Sequence, residues 1–535
     1  MEVRPKGANL KEEIMCMRKM FLFFVSLASC LLLLASYVPP FAASYAAETE
    51  SETDLLKQEI QLLKQQNEEQ QKKIQLLCDR LDALEKGKVE SDQKVCDVAC
   101  KTEESKQAAE AAQELAKKTM DTYEKVIGAY SPDNLPNYIT KAFQFHGYLR
   151  SGAGVNGKGG KQVAFQAPGA PAKYRLGNEI DTYGEIDFVH NFVTKPDVPF
   201  FDVEVRLSYA TQEHMGDDPM HDRFSVREAN VQAGNFGFCP SMKFWAGERF
   251  YRRMDIHIND FYVFDMSGYG GGVEDIPFLF DDVKLAAAYI GGSNDAYEFG
   301  DVGFVSKNTL DLRIYDFQLP WGKGMLWLAP SYLKGGTYET DDGTDAYYPT
   351  TSGGAIGFMH QHEFTMDGYN RATLQYGKGT GSNFSPGVQD PTPNLDDSWM
   401  FRATDSAVIQ CNEKFSIMGD AIYQMYNNGS GNSAEINWIS AGARPEYMLT
   451  DNFALALEVG ADYVDSQPDD YNGVLYKITI APTLKFNFLF FSRPELRAYM
   501  TYATWGDGFK GRVGGAPYEN DTAGLSFGLQ AEAWW

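Results

Sequence analysis

Chemistry at a protein site begins with groups that attack, move a proton or hold a metal. A nucleophilic enzyme needs a base in register with its nucleophile, and the seven histidines show no Ser/His/Asp arrangement. His257 stands two residues from Asp255 and His360 two from His362. Both pairs read as polar residues of a loop or a wall. The seven cysteines (Cys16, Cys30, Cys78, Cys96, Cys100, Cys239 and Cys411) include no CxxC pair that would suggest zinc. Cys96 and Cys100 are close enough for a local bridge, though a strained one. Cys78 falls beside a helical seam, where it either pairs between chains or stays a buried thiol. No enzymatic activity, cofactor or metal is expected. The chemistry left is recognition without reaction, so the elements that present side chains decide what the chain does.

The length, 535 residues, would by itself suggest several domains. Glycine (50), tyrosine (30) and phenylalanine (35) are plentiful. No apolar run of transmembrane length follows the N-terminal region, so no membrane-spanning helix is expected in the mature chain. Membrane residence then requires a closed barrel, whose strands hide their apolarity in alternation. The net charge of −25 argues against nucleic acid, because no basic patch would neutralise phosphates. It suits acidic loops and a surface that attracts cations.

The N-terminus reads as an address followed by a rod. Met17-Arg18-Lys19 begins a basic region, with Met17 a candidate start, and Phe21 to Tyr37 is apolar. Ser44-Tyr45-Ala46 fits a signal-peptidase site, so residues 1–46 are expected to be a signal peptide; the alternative is an uncleaved anchor helix. Leu27-Ala28-Ser29-Cys30 looks like a lipoprotein box, but the apolar Leu31–Leu34 run places it inside the apolar region. From Leu56 a heptad begins, with Ile60, Asn67, Ile74 and Leu81 at one seam position and Leu56, Leu63, Gln70, Leu77 and Leu84 at the other. That strict seam predicts a coiled coil within residues 47–130, with Asn67 and Gln70 as a polar layer that sets register. Ser131-Pro132 and Leu135-Pro136 break the helix, and 131–142 is read as a linker.

From about Phe143 the period changes to two. In the last segment Leu525, Phe527, Leu529, Ala531, Ala533 and Trp535 share one face, and Ser526, Gly528, Gln530, Glu532 and Trp534 the other. The segment ends on an aromatic residue, as the closing strand of an outer-membrane barrel does. Phe201, Val203, Val205, Leu207 and Tyr209 alternate with polar residues in the same way. So do Leu484, Phe486, Phe488 and Phe490, and Leu496, Ala498, Met500 and Tyr502. At about 10 residues per strand, roughly 16 to 18 strands fit into 143–535, and barrels of that size leave an aqueous lumen. Ser267–Gly272, Asp341–Asp345 and Gly377–Gly387 are expected to be loops.

Several stretches are distributed along this region. They include Phe145-His146-Gly147-Tyr148-Leu149-Arg150-Ser151-Gly152, Lys173-Tyr174-Arg175-Leu176-Gly177-Asn178-Glu179 and Arg227-Glu228-Ala229-Asn230-Val231-Gln232. Trp245-Ala246-Gly247-Glu248-Arg249-Phe250-Tyr251, Asp255-Ile256-His257, Asp260-Phe261-Tyr262, Tyr476-Lys477-Ile478-Thr479, Ser492-Arg493-Pro494 and Trp534-Trp535 continue the set. Together these stretches resemble the maltoporin and sucrose-porin family. The resemblance spans the whole barrel region, and the coiled coil is similar to the extension of the sucrose branch. It implies an all-β transmembrane barrel of about 18 antiparallel strands, trimeric, in the Gram-negative outer membrane. It also implies a helical ribbon of aromatic side chains along which a sugar slides. A sugar ring has an apolar CH face that stacks on an aromatic ring, and hydroxyls that pair with carboxylates and guanidinium groups. Carried over by position, the ribbon is Tyr148, Tyr183, Tyr369, Phe491 and Trp534, and period two places these five on the polar faces of their strands. The constriction, from an inward-folded third loop and nearby walls, is Arg150, Arg175, Glu185, Arg227, Arg253, Asp255, His257, Asp260 and Tyr262.

Two departures from the family stand out. The first-loop disulfide is missing, its positions holding Ala164 and Ile180, and no tryptophan stands near His214 and Met215, where the family lends one to a neighbouring subunit. Tyr262, with Arg253 and Asp255, resembles the maltoporin branch, which has a tyrosine there where the sucrose branch has phenylalanine. The implied partners are therefore oligosaccharides, maltose and maltodextrins foremost, outer-membrane lipid and two further copies of the chain. The periplasmic rod would meet peptidoglycan or a periplasmic binding protein. The rival readings are a general or anion-selective diffusion porin and a porin whose coiled coil mainly tethers the outer membrane to the cell wall.

Overall fold

A computed structural model describes residues 142–535 except 193–197, 212–222, 279, 300–302, 341–342, 391–393 and 432–433. The expected signal peptide and coiled coil, the linker up to residue 141, and His214 and Met215 lie outside the described residues. Eighteen antiparallel strands form one sheet in which each strand pairs with the next along the chain. The first strand, Phe143–Asn156, pairs with the second, Tyr183–Asn191, and also with the last, Ala523–Trp534. Tyr148 lies opposite Trp534 across that final seam, which closes the barrel. Closure gives every strand two partners and removes the exposed edge that would otherwise template aggregation.

Alternation decides which residue faces where. On the last strand Phe527 and Leu529 are 45% and 65% exposed on the outer wall, whereas Ser526, Gln530 and Glu532 are buried inside. On Glu495–Trp505, Leu496, Met500 and Tyr502 face out, and Glu495, Arg497, Tyr499 and Thr501 are buried. Around the seam, Phe143 and Phe145 pack against Phe188 with ring centroids 5.9 and 5.7 Å apart, and Phe145 lies 5.8 Å from Trp535. These rings form part of an aromatic band at the end where the last strand stops, the place of a lipid–water interface. A Cβ at position 147 would overlap the Trp535 indole, so glycine there lets the ring lie across the first strand. The two residues exchange backbone hydrogen bonds, Gly147 N to Trp535 O at 3.3 Å and Trp535 N to Gly147 O at 3.2 Å.

Two expectations are corrected. The alternation from Leu484 to Phe490 is not one strand, because Tyr471–Lys485 stops at Lys485. The Asn487 side-chain oxygen accepts from the Leu489 backbone N–H at 2.9 Å, and the Asn487 backbone N–H donates to Ser492 Oγ at 3.1 Å. These local bonds compete with the ladder and turn the chain inward, leaving Phe486 exposed and Phe490 buried. The expected loop Ser267–Gly272 is mostly strand, since Gly268–Phe278 pairs on both sides. Its glycines serve close packing: a Cβ at Gly272 would press on Ala287 O and the Ala288 backbone.

Loops that fold into the lumen position the site. In 157–182, Asn178 staples the loop across itself. Its amide oxygen accepts from Phe165 N at 2.7 Å, and its nitrogen donates to Phe165 O and Tyr174 O at 2.8 and 2.9 Å. The wall holds the same loop: Lys477 Nζ and Thr479 Oγ1 donate to Leu176 O at 2.8 and 3.0 Å. The third outer loop, 250–267, carries a short hairpin, Met254–Ile256 with Phe261–Val263. It crosses the interior to pack Phe261 on Trp438 and Phe264 on Trp327, each at 5.4 Å. Arg313 donates to the carbonyls of Arg252 and Phe264 at 3.0 and 2.9 Å.

Candidate functional site

The barrel wall and the two inserted loops enclose a lumen cavity of about 580 Å³. Thirteen of the fourteen residues singled out from the sequence line it: Tyr148, Arg150, Arg175, Tyr183, Glu185, Arg227, Arg253, Asp255, His257, Asp260, Tyr262, Phe491 and Trp534. Tyr369 does not. It starts the strand Tyr369–Lys378, and Arg371 connects it to the cavity by stacking over its ring at 4.8 Å and donating to Asp255 O at 3.4 Å.

The aromatic side comes from the first, second and last strands and from the turn 486–494. Trp534 and Tyr148 lie nearly parallel, 15° apart with centroids at 6.4 Å, and Tyr183 follows at 6.0 Å from Tyr148. Phe491 joins them through His257, whose ring meets Phe491 at 5.5 Å and Trp534 at 5.8 Å, both edge-on. Phe491 reaches this position from a turn, so the expectation that strand alternation places it on a polar strand face does not hold.

Behind these rings lies a buried charge network. The Glu532 carboxylate faces Arg175 at 3.0 Å, Arg493 at 2.9 Å and Arg497 at 2.5 Å, and accepts from the Tyr148 hydroxyl at 3.0 Å. A carboxylate so deeply buried is tolerated only when paired this well. Tyr148 also accepts from Arg175 at 2.8 Å, so its hydroxyl is pinned and its ring is held in one orientation. The Arg493 guanidinium sits 4.1 Å from the Trp534 ring centroid and keeps it in place by a cation–π contact. Arg493, Glu495, Arg497 and Glu532 were not among the residues chosen from the sequence. For Glu495, Arg497 and Glu532 the signal was present, since charges on the inward faces of adjacent strands are costly unless they answer one another; Arg493 stands on the turn, where alternation gives none.

The third loop supplies the facing groups. Asp255 and Tyr262 are opposite each other in its hairpin, and Arg253 lies over both Phe250 and Tyr262, at 3.5 and 4.5 Å. Arg150 is fixed by Glu179 at 2.7 Å and Asp181 at 2.9 Å, and Glu185 by Tyr183 at 2.5 Å and Arg206 at 3.0 Å. Arg227 packs 5.4 Å from the Phe250 ring. His257 stands between Arg493 Nη2, 3.3 Å from its Nε2, and Arg175 Nη1, 3.4 Å from its Nδ1, with Asp255 3.6 Å from Nδ1. Burial pushes this imidazole below its ordinary pKa, and Arg175 adds to that against the pull of Asp255. Burial also works against the Arg175 cation, but Glu179, Tyr148 and Glu532 outweigh it and raise its pKa well above the ordinary value. The Asp260 carboxyl is held low because Arg175 and Arg150 outweigh its burial. Burial, helped by Asp255, raises the Tyr262 phenol, which therefore stays a neutral donor. The arrangement sets aromatic faces on one side and charged or phenolic hydrogen-bonding groups on the other. Among the described residues no cluster of His, Cys, Asp and Glu could hold a metal.

Comparison with known proteins adds the family. A family model described as LamB porin matches residues 143–535. Among solved structures, OccAB2 of Acinetobacter baumannii is similar at 8% identity, covering 74% of this chain and 98% of that one with a TM-score of 0.37. OccK2 (OpdF) of Pseudomonas aeruginosa is 10% identical over 73% of this chain and 97% of its own, with a TM-score of 0.41. OmpF of Salmonella typhi, in complex with daunomycin, is 11% identical over 74% and 97%, with a TM-score of 0.36.

Proposed function

The chain belongs to the LamB porin family and is an outer-membrane barrel channel, and we propose that it passes oligosaccharides by facilitated diffusion, maltose and longer maltodextrins foremost. The track runs over Tyr183, Tyr148, Trp534 and Phe491 and on to Tyr369. Arg150, Arg175, Glu185, Arg227, Arg253, Asp255, His257, Asp260 and Tyr262 exchange hydrogen bonds with the sugar hydroxyls. The reading rests on the convergence of aromatic wall residues and charged loop residues on one cavity. Adjacent weak contacts of both kinds let a sugar enter without trapping it. The working unit is proposed to be a homotrimer, with the coiled coil in the periplasm touching peptidoglycan or a binding protein.

Single-channel recording with maltodextrins and sucrose as blockers tests this. Longer maltodextrins are expected to block best, at millimolar concentration or below. Tyr262→Phe removes the phenolic group and is expected to ease the passage of sucrose. The four arginines lining the cavity favour a second reading, an anion-selective diffusion pore. That reading predicts linear flux with no block by any sugar, and saturable block excludes it. Removing residues 47–130 is expected to leave conductance and block unchanged while weakening the envelope if the rod is a tether.

A further inference from the structure

Both barrel ends, Phe143 and Trp534, lie at the mouth where the short turns are, and a second cavity of about 470 Å³ opens there, on another part of the wall. Its volume is within the range of small-molecule sites, about 300–1,000 Å³. It is built on the strands Gly303–Leu319, Gly322–Leu333 and Thr351–Glu363, with Met325 and Met359 as an apolar floor. Arg252 of the third loop covers one flank, its guanidinium stacked 4.0 Å from the Tyr315 ring.

The turn at the rim is unusual. Leu319 pairs with Gly322, so Pro320 and Trp321 alone make the connection, and Trp321 has φ 66°. In a turn whose first central residue is proline, a positive φ at the second is ordinarily met by glycine or asparagine. A bulky side chain there is a backbone outlier. Strain of this kind persists where the position is put to use. The ring it presents is 83% exposed and borders the cavity. Gly322 admits no other residue, since a Cβ would overlap Gln361 O, so the tip is clamped against the neighbouring strand.

Polar groups line the same cavity. Gln361 accepts from Arg371 Nε at 2.9 Å, which leaves its amide nitrogen to donate, and Arg371 is the residue stacked on Tyr369. Lys323 and Glu363 line the cavity as well. Glu363 pairs with Tyr369 in the sheet, so the end of the proposed aromatic track and this cavity are adjacent. The exposed ring, the Gln361 amide and charges of both signs, with Arg252 and Glu363 on the lining and Lys323 3.9 Å from Asp316, suit a neutral polyhydroxylated ring rather than an ion of either sign.

We propose that this cavity is a separate carbohydrate subsite at the short-turn mouth, where a sugar unit stacks on Trp321 beyond Tyr369 while its hydroxyls pair with Gln361, Lys323 and Glu363. The inference rests on the sugar-channel reading and extends it to a site outside the aromatic track. It predicts that entry of sugar is sided. The experiment adds maltohexaose to one face of a planar bilayer at a time and measures blocking rates for wild type, Trp321→Gly, Trp321→Phe and Glu363→Gln. Glycine suits the positive φ, so Trp321→Gly keeps the turn, and retention of the heat-resistant gel mobility checks this. Expected is a fall of about tenfold in the blocking on-rate from the short-turn side for Trp321→Gly, the loss of one stacking platform. Trp321→Phe should recover most of it, and Glu363→Gln should give a smaller loss on the same side. Equal rates for wild type and Trp321→Gly overturn the subsite, as does an equal loss from both sides, which would mark a general change in the pore. Absence of block in the wild type overturns the sugar reading itself, and the subsite with it.

Discussion

Replacing Trp534 with alanine, and separately its neighbour Trp535, tests the division between lumen and lipid at one step along the chain. Trp535 directly follows the last strand and continues its backbone pairing to Gly147, so the two side chains point to opposite faces. Trp534 lies parallel to Tyr148 and bridges it to Phe491 across His257. Its removal leaves a gap in the middle of the platform. One aromatic contact contributes about 0.5–1.5 kcal/mol, and about 1.4 kcal/mol is tenfold in affinity. The half-blocking concentration of maltohexaose should therefore rise about twofold to tenfold in Trp534→Ala. Arg493 loses its ring but keeps Glu532 and Glu495, at 2.9 Å each, so the wall should hold. Trp535→Ala removes an outer ring 49% exposed and packed on Phe145. Its block should match wild type, while its resistance to thermal unfolding in detergent falls. The assay is single-channel block by titrated sugar, with thermal melting alongside. Weaker block in Trp535→Ala together with unchanged block in Trp534→Ala would refute the inside–outside assignment.

Three further outcomes follow from the same geometry. Glu532→Gln leaves Arg175, Arg493 and Arg497 without the carboxylate they share; stability should fall by about 3–5 kcal/mol, the cost of breaking a buried pair, and the reversal potential in a salt gradient should move towards anions. Gly147→Val should reduce barrel assembly because a Cβ overlaps the Trp535 indole; adding Trp535→Ala in the same chain should restore assembly, and failure of that rescue would put the cause elsewhere. For His257 the folded pKa lies below the ordinary value of 6.5, so the unfolded chain binds the proton more readily; the contribution to stability is complete above about pH 6.5 and is lost as pH falls through the lowered pKa. Melting curves should show a larger loss on acidification for wild type than for His257→Gln, and parallel losses would disprove the assignment.

The sequence by itself determined the barrel and its two faces. Period-two alternation is covalent geometry, and in Ala523–Trp534 it assigns Phe527 and Leu529 outward and Gln530 and Glu532 inward whatever lies beside them. Family-like stretches also named thirteen residues that meet at one cavity. Alternation misled where a side chain competed with the ladder, at Asn487, and where glycines served close packing rather than a loop, at Gly268–Gly272. Only the tertiary structure decided who partners whom. The partners of Glu532 come from an inserted loop (Arg175), a turn (Arg493) and the adjacent strand (Arg497), a meeting that depends on closure of the first strand on the last. The same holds for Asn178 stapling its loop to Phe165 and Tyr174, for Phe491 reaching the track from a turn, and for the cavity at Trp321, whose walls are joined only when the third loop folds inward. Local periodicity reports the face on which a residue stands, and contact across a lumen depends on register, closure and loop path, none of which has a local signature.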